Sequence, residues 1–423
     1  MSSLTSPNAN IAIPGKAPTA LLAVASAVSV ANVYYAQPLL DGLAAEFGIN
    51  PGAVGGVVTA TQFGCALALL LLVPLGDQVN RRRLLLIQAA LLVAALAGVG
   101  LAWAPFPLLA GMVAVGVLGT AMTQGLIAFA ASTARPEERG RVVGTTQGGV
   151  VIGLLLARVI AGAIADQAGW RGVYLISALL MTVLAILLWR RLPNQATAQA
   201  PLPYPRLILS QWRLLRSERV LQIRGVLALL MFASFSIFWS ALVLPLSAPP
   251  HNLSHTAVGA FGLVGLVGAL AAARAGHWAD RGQAQRATGM ALAILLLAWL
   301  PLGFGMHSLG ALVVGVILLD LGGQAIHVLN QTLILNTNPN AHGRLIGGYM
   351  LFYAVGSGLG GIAATTAYAR FGWSGVCLLG AGVSAAALLF WALTLRHMPD
   401  RAACRPAPRS CKARKARPAT MMR

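Results

Sequence analysis

The densest chemistry in this sequence lies inside one long apolar run, where Asp320, Gln324, His327 and Gln331 follow one another at increments of four, three and four. At 3.6 residues per turn the four share one narrow helical face. A carboxylate and an imidazole in apolar surroundings are well suited to gain and lose a proton as those surroundings change. Asp320 and His327 are therefore the candidates for coupling to protons, since an ionisable group within an apolar span is a functional candidate by default. The plain alternatives are hydrogen bonding between helices for the glutamines and a wet position near the outer mouth for Asp320.

Polar side chains recur in three other apolar runs. Asn32, Tyr35, Gln124, Trp239, Gln324 and Gln331 are candidates for contact with a solute, with Phe235 and Trp239 as apolar wall. Arg158 also lies inside a run. It either binds an anionic group, pairs with Asp320, or extends to the outer interface beside Asp166. No cofactor and no metal are expected, because Cys65 and Cys377 sit in apolar runs, Cys404 and Cys411 in a basic tail, and no close C-x-x-C spacing occurs. No H-E-x-x-H, G-x-S-x-G or G-x-x-x-x-G-K-[ST] pattern is present, so neither proteolysis nor nucleotide hydrolysis has a site, and no enzyme is expected.

The elements that must position these residues are membrane spans. Hydrophobic residues make up 57% and charged residues 9% of the 423, against about 25% charged in soluble domains. Apolar runs of about 20 residues, long enough to cross a hydrocarbon core about 30 Å thick, alternate with polar segments. They fall at about 19–40, 53–75, 84–104, 108–131, 142–165, 172–190, 225–247, 257–275, 287–305, 309–335, 345–369 and 374–395, which gives an all-α membrane protein of twelve transmembrane helices. The net charge of +20 does not imply nucleic acid, because of where it lies. With both termini in the cytoplasm, all of the 30 Lys and Arg except Arg158, Arg171 and Arg370 fall on the inner side. A multi-pass protein of the cytoplasmic (inner) membrane follows, with the lipid bilayer as its first partner. A monomer is expected.

The chain divides into a cytoplasmic segment 1–18, a bundle 19–190, a cytoplasmic linker 191–224, a bundle 225–395 and a basic cytoplasmic tail 396–423. The linker carries Pro193, Pro201, Pro203 and Pro205 and a short amphipathic stretch from Leu207 to Leu215, suited to lying on headgroups. The two bundles repeat each other. An offset of 203 residues places Arg141 on Arg344, Gly144 on Gly347, Gly153 on Gly356, Gly169 and Trp170 on Gly372 and Trp373, and Gln124 on His327. Two six-helix repeats in parallel orientation result.

The loop GDQVNRRR from Gly76 to Arg83, its counterpart GHWADRG from Gly276 to Gly282, PEERGR from Pro136 to Arg141, and NVYYAQPLL from Asn32 to Leu40 together resemble the major facilitator superfamily, and within it bacterial efflux-type members. The resemblance runs from Leu21 to Leu395. It implies alternating access, spans one, four, seven and ten around a central path, spans three, six, nine and twelve facing lipid, and Asp77, Arg81, Asp280 and Arg281 as cytoplasmic gate residues. Topology-setting charge is the plain alternative for the gate cluster. Two features depart from the drug:proton antiporter pattern: Ala121 stands where an arginine precedes the Gln124 and Gly125 pair, and Leu154 follows Gly153 in place of proline. The expected activity is proton-coupled export of a small organic or drug-like solute, with uptake of a sugar or organic acid by proton symport, or a transport-inactive sensor or scaffold, as alternatives.

Overall fold

The computed structural model describes residues 18–76, 78–135, 137–193, 203–281, 283–335, 337 and 342–397, with backbone alone over 269–280 and at 342. The described residues are helical with short connections. In chain order the principal helices are α1 (Thr19–Tyr34), α2 (Leu40–Phe47), α3 (Gly56–Leu67), α4 (Arg81–Gly100), α5 (Pro105–Thr133), α6 (Arg139–Arg191), α7 (Tyr204–Ser217), α8 (Arg219–Ala241), α9 (His255–Asp280), α10 (Ala284–Leu297), α11 (Leu309–Leu335) and α12 (His342–Thr394). These labels do not count spans. Among the described residues, eight helical stretches are long and apolar enough to cross a membrane, or nine if the bent pair α1 and α2 is one span.

Two of those stretches, α6 and α12, are 53 residues long, more than twice what a bilayer needs. Each is bent at one glycine, Gly169 (φ 67°, ψ 175°) and Gly372 (φ 61°, ψ −159°). That backbone region is essentially confined to glycine, and no neighbouring atom crowds either residue, so conformation rather than space demands glycine there. The tryptophan after each bend ties it down. Trp170 Nε1 donates to Glu46, and Trp373 Nε1 donates to the Leu302 carbonyl (2.8 Å).

The break between α1 and α2, where the axes turn by 41°, falls within the Asn32–Leu40 motif. Pro38 lacks the N–H that would continue the helical ladder, and residues Gln37–Leu39 form a 3-10 turn. At the start of α4 the Asn80 side chain caps the helix by accepting from the Arg83 N–H (3.1 Å).

Exposure separates the elements as lipid contact requires. The second arm of α6 shows Ile176, Leu179, Val183 and Ile186 to the outside, and the second arm of α12 shows Leu378, Leu389 and Leu393. α8 is the opposite case, with Leu227, Met231, Ile237, Phe238 and Trp239 all buried. α7 answers the expectation of an amphipathic helix in the linker, though it does more than float: Gln211 is buried and Leu214 and Leu215 pack against Leu221 and Tyr349, while Leu209 and Trp212 remain exposed.

Candidate functional site

The residues that could carry transport fall into three groups along the bundle, and the middle group is centred on Arg158. Its side chain is 3% exposed, so the extended, interface-seeking alternative is ruled out. Nε donates to Gln37 Oε1 (3.0 Å) at the α1–α2 break, and the guanidinium lies 4.0 Å from the centre of the Trp239 ring and 5.7 Å from that of Tyr34. Stacking on aromatic faces suits a planar, delocalised cation. Asp320 supplies the opposite charge that Arg158 feels most, without an ion-pair contact. Arg158 Nη2, Trp239 Nε1 and Asp320 Oδ2 are buried with no protein partner.

α9 makes this approach possible. Gly259, Gly262, Gly265 and Gly268 recur every third residue. A methyl group at Gly259 would overlap the Arg158 carbonyl, one at Gly265 the Asp320 carboxylate, and one at Gly268 the Ile317 carbonyl. The cation from α6 and the carboxylate from α11 therefore lie against successive turns of one helix, along a row of glycines that winds around it. A small pocket beside them, lined by Gln37, Arg158, Trp239 and Val258 among others, has room for about one water molecule.

His327 Nδ1 lies 2.9 Å from the Tyr349 hydroxyl and Nε2 3.1 Å from Gln331 Nε2, and its ring meets Phe232 edge-on. Asn32 turns into its own half, accepting from Ser177 (2.5 Å). Tyr35 is buried, and Gln124 and Gln324 are half-buried. Arg81 Nε donates to the Gly76 carbonyl (3.2 Å) and Arg281 is exposed. Asp77 and the side chain of Asp280 lie outside the described residues.

Sequence reasoning placed Arg224 in the linker, but α8 begins at Arg219 and Arg224 is 0% exposed. It donates to Gln285 Oε1 (2.7 Å), Thr288 Oγ1 (3.2 Å) and Asn330 Oδ1 (3.2 Å), so it ties α8 to α10 and α11. The available signal was its helical register with Leu221, Leu227 and Ala228, which face the same interior.

The third group closes the end of the bundle that the arginine distribution assigns to the outside. Asp166, at the end of the first arm of α6, accepts from the backbone N–H groups of His255 and Thr256 (both 2.9 Å) and from the Thr256 hydroxyl (2.6 Å), capping α9 across the two halves. The His255 ring stands between carboxylates: Nδ1 is 3.1 Å from Asp166 Oδ1 and Nε2 3.1 Å from Asp41 Oδ1. Only the imidazolium donates from both nitrogens. Hydrogen bonding to Asp41 raises the His255 pKa against burial, with the charges of Asp41 and Asp166 adding to it. Burial pushes the Asp166 carboxyl up, but the Thr256 and His255 donors outweigh it and hold it down at about 2, and Asp41 is likewise held low by His255.

The sign follows. A histidine raised in the closed state stabilises that state fully below the ordinary imidazole range, and this contribution is lost as pH rises through the raised value. We expect spin labels at Ala45→Cys and Asn252→Cys, in a background without the four native cysteines, to report less closure as pH rises. His255→Gln should flatten the dependence, and the change corresponds to on the order of 1 kcal/mol, or about fivefold in the open-to-closed ratio. An unchanged pH profile in His255→Gln would remove the latch.

Residues of 19–190 and of 225–395 also touch backbone to backbone. A methyl group on Gly162 would overlap the His255 carbonyl, and one on Gly55 the Gly361 carbonyl. The Gly55 N–H donates to Thr365 Oγ1 (3.1 Å), the hydroxyls of Thr365 and Thr366 donate to the Gly52 carbonyl (both 3.0 Å), and Thr59 donates to the Gly358 carbonyl (2.7 Å). The hydroxyls of Tyr34 and Tyr353 also meet.

Long apolar helices and an outward apolar surface define a multi-pass membrane protein. The chain belongs to the major facilitator superfamily, whose family model matches residues 22–304 and 225–420. It is a transporter of a small-molecule substrate and not an enzyme. It is 42% identical over 378 residues to "Uncharacterized transporter YgaY" of Escherichia coli O157:H7, covering 88% of this chain and 94% of that protein. It is 32% identical over 359 residues to "Probable transporter SCO4007" of Streptomyces coelicolor, covering 84% and 83% respectively. Among solved structures, a bacterial homologue of the human lysosomal transporter Spinster, in an inward-facing and unoccupied conformation, superposes with a TM-score of 0.75 at 15% identity, covering 90% of this chain and 96% of that one.

Proposed function

We propose that this protein is a proton-coupled secondary transporter of a small organic solute. It works by alternating access between the two halves 19–190 and 225–395, twelve spans in all, in the cytoplasmic membrane with both termini inside. The observation that carries the coupling is the Arg158 and Asp320 pair. Two opposite charges lie between helices of different halves without joining, and each keeps an unpartnered atom. Isolated charge in a membrane interior is costly, so a carboxylate there is retained for what its protonation changes. In this reading Asp320 takes and releases the transported proton while Arg158, Trp239 and Tyr34 face the solute. His327, hydrogen-bonded away from Asp320, positions α11 against α12. Asp77, Arg81, Asp280 and Arg281 remain the proposed cytoplasmic gate.

The resemblance to efflux-type members makes export in exchange for protons the first reading. Uptake of an organic acid together with protons is the second, favoured by the buried Arg158. Solutes retained by cells with and without the protein identify the cargo. That solute is then presented to proteoliposomes carrying a pH step, where counter-movement of protons supports exchange and co-movement supports symport. Accumulation indifferent to the pH step would overturn proton coupling.

A further inference from the structure

The atoms at the Arg158 pocket that lack partners point to the charge of the cargo. Arg158 Nη2 and Trp239 Nε1 are both hydrogen-bond donors, both buried, and both belong to residues lining one pocket. The one polar acceptor among its named lining side chains, Gln37 Oε1, already accepts from Arg158 Nε. Asp320 does not line the pocket, and its carboxylate lies against Gly265. The pocket thus offers a positive charge and two free donors with no free side-chain acceptor. A ligand that satisfies it brings acceptors and negative charge, whereas an ammonium group would meet only the guanidinium.

We propose that the transported solute is an organic monocarboxylate, whose carboxylate bridges Arg158 Nη2 and Trp239 Nε1. Its apolar body extends along the aromatic wall formed by Tyr34, Phe235 and Trp239, where the Phe235 and Trp239 rings lie 6.1 Å apart. The closed pocket holds about one water, enough for a headgroup and not for a body, so the body enters when the bundle opens. This assignment rests on the second, co-transport form of the proton-coupled reading and selects it over exchange. An anion at Arg158 neutralises the charge that favours ionised Asp320, so the anion and a proton occupy the protein together and travel the same way.

The test uses the full chain in detergent with benzoate, phenylacetate and octanoate, their three primary amides, and benzylamine. Thermal stabilisation and tryptophan fluorescence report binding, and pyranine in weak buffer reports protons. At least one carboxylate should bind where its amide and benzylamine do not. Arg158→Gln should weaken that binding by about tenfold or more, and Arg158→Lys, which keeps the charge without the planar fork, by less. Trp239→Phe, which keeps the ring and removes one donor, should weaken it by about threefold to tenfold. No binding by any carboxylate, equal binding of amides or benzylamine, or carboxylate affinity that survives Arg158→Gln in folded protein would overturn the assignment. Carboxylate binding through Arg158 without proton uptake would leave the anion site standing and remove proton coupling. Proton release on adding benzylamine would do the reverse.

Discussion

Asp320→Asn abolishes accumulation driven by a pH step and leaves gradient-free exchange of solute within about threefold of the parent protein. Coupling requires the charge at this position to be lost and regained during each cycle, and an amide holds one state. Exchange makes no such demand, since solute enters and leaves with the coupling site unchanged. The substitution fits the space: Oδ2 stands over Gly265 with no hydrogen-bond partner, and an amide of the same shape occupies the same place. His327→Gln is the companion, with a mild effect expected, because the ring serves as a hydrogen-bonding spacer between Tyr349 and Gln331. Full gradient-driven accumulation by Asp320→Asn, measured in proteoliposomes, would show that the proton travels elsewhere.

A single methyl group where Gly55 meets Gly361 should be as damaging. Gly55→Ala places a carbon where the Gly361 carbonyl already stands, and backbone cannot swing aside as a side chain does. Overpacking costs about 1–3 kcal/mol even in cores able to adjust. The closed arrangement therefore loses at least about fivefold in population, and turnover falls with it. Gly56→Ala is the control. It adds the same atom one residue on, where nothing lies within reach. The labels on Ala45→Cys and Asn252→Cys should show a larger open fraction in Gly55→Ala alone. Equal turnover in the two variants would mean that this contact does not form part of the cycle.

The membrane class was legible from composition and the pattern of apolar runs, because the bilayer forces both. The offset of 203 residues set Gly169 against Gly372, and the structure bends at both, because a backbone that only glycine adopts leaves the residue visible in the sequence. Asp320 and Arg158 were legible as candidates because charge inside an apolar run is rare. Their approach to one another was one alternative among three, and nothing in the sequence selected it, because the glycines of the third helix that let them lie close read in isolation as ordinary small residues. His255 was missed altogether: it stands at a span end among polar neighbours, and its two carboxylates are distant in sequence, at Asp41 and Asp166. Arg224 was misread because a basic residue at the end of a basic linker looks like topology-setting charge. Only its register with Leu221 and Leu227 betrays that it points inward. Asn32, a polar residue in an expected path helix, accepts from Ser177, while its amide nitrogen is buried without a partner.

The bends at Gly169 and Gly372 also set where the protein can be re-engineered. Each turns the chain from one long helix into the next within a single residue, and a tryptophan immediately afterwards pins the turn to Glu46 or to the Leu302 carbonyl. There is no slack at either place to absorb an inserted epitope, a fluorescent fusion or a circular-permutation break without rotating one arm against the other.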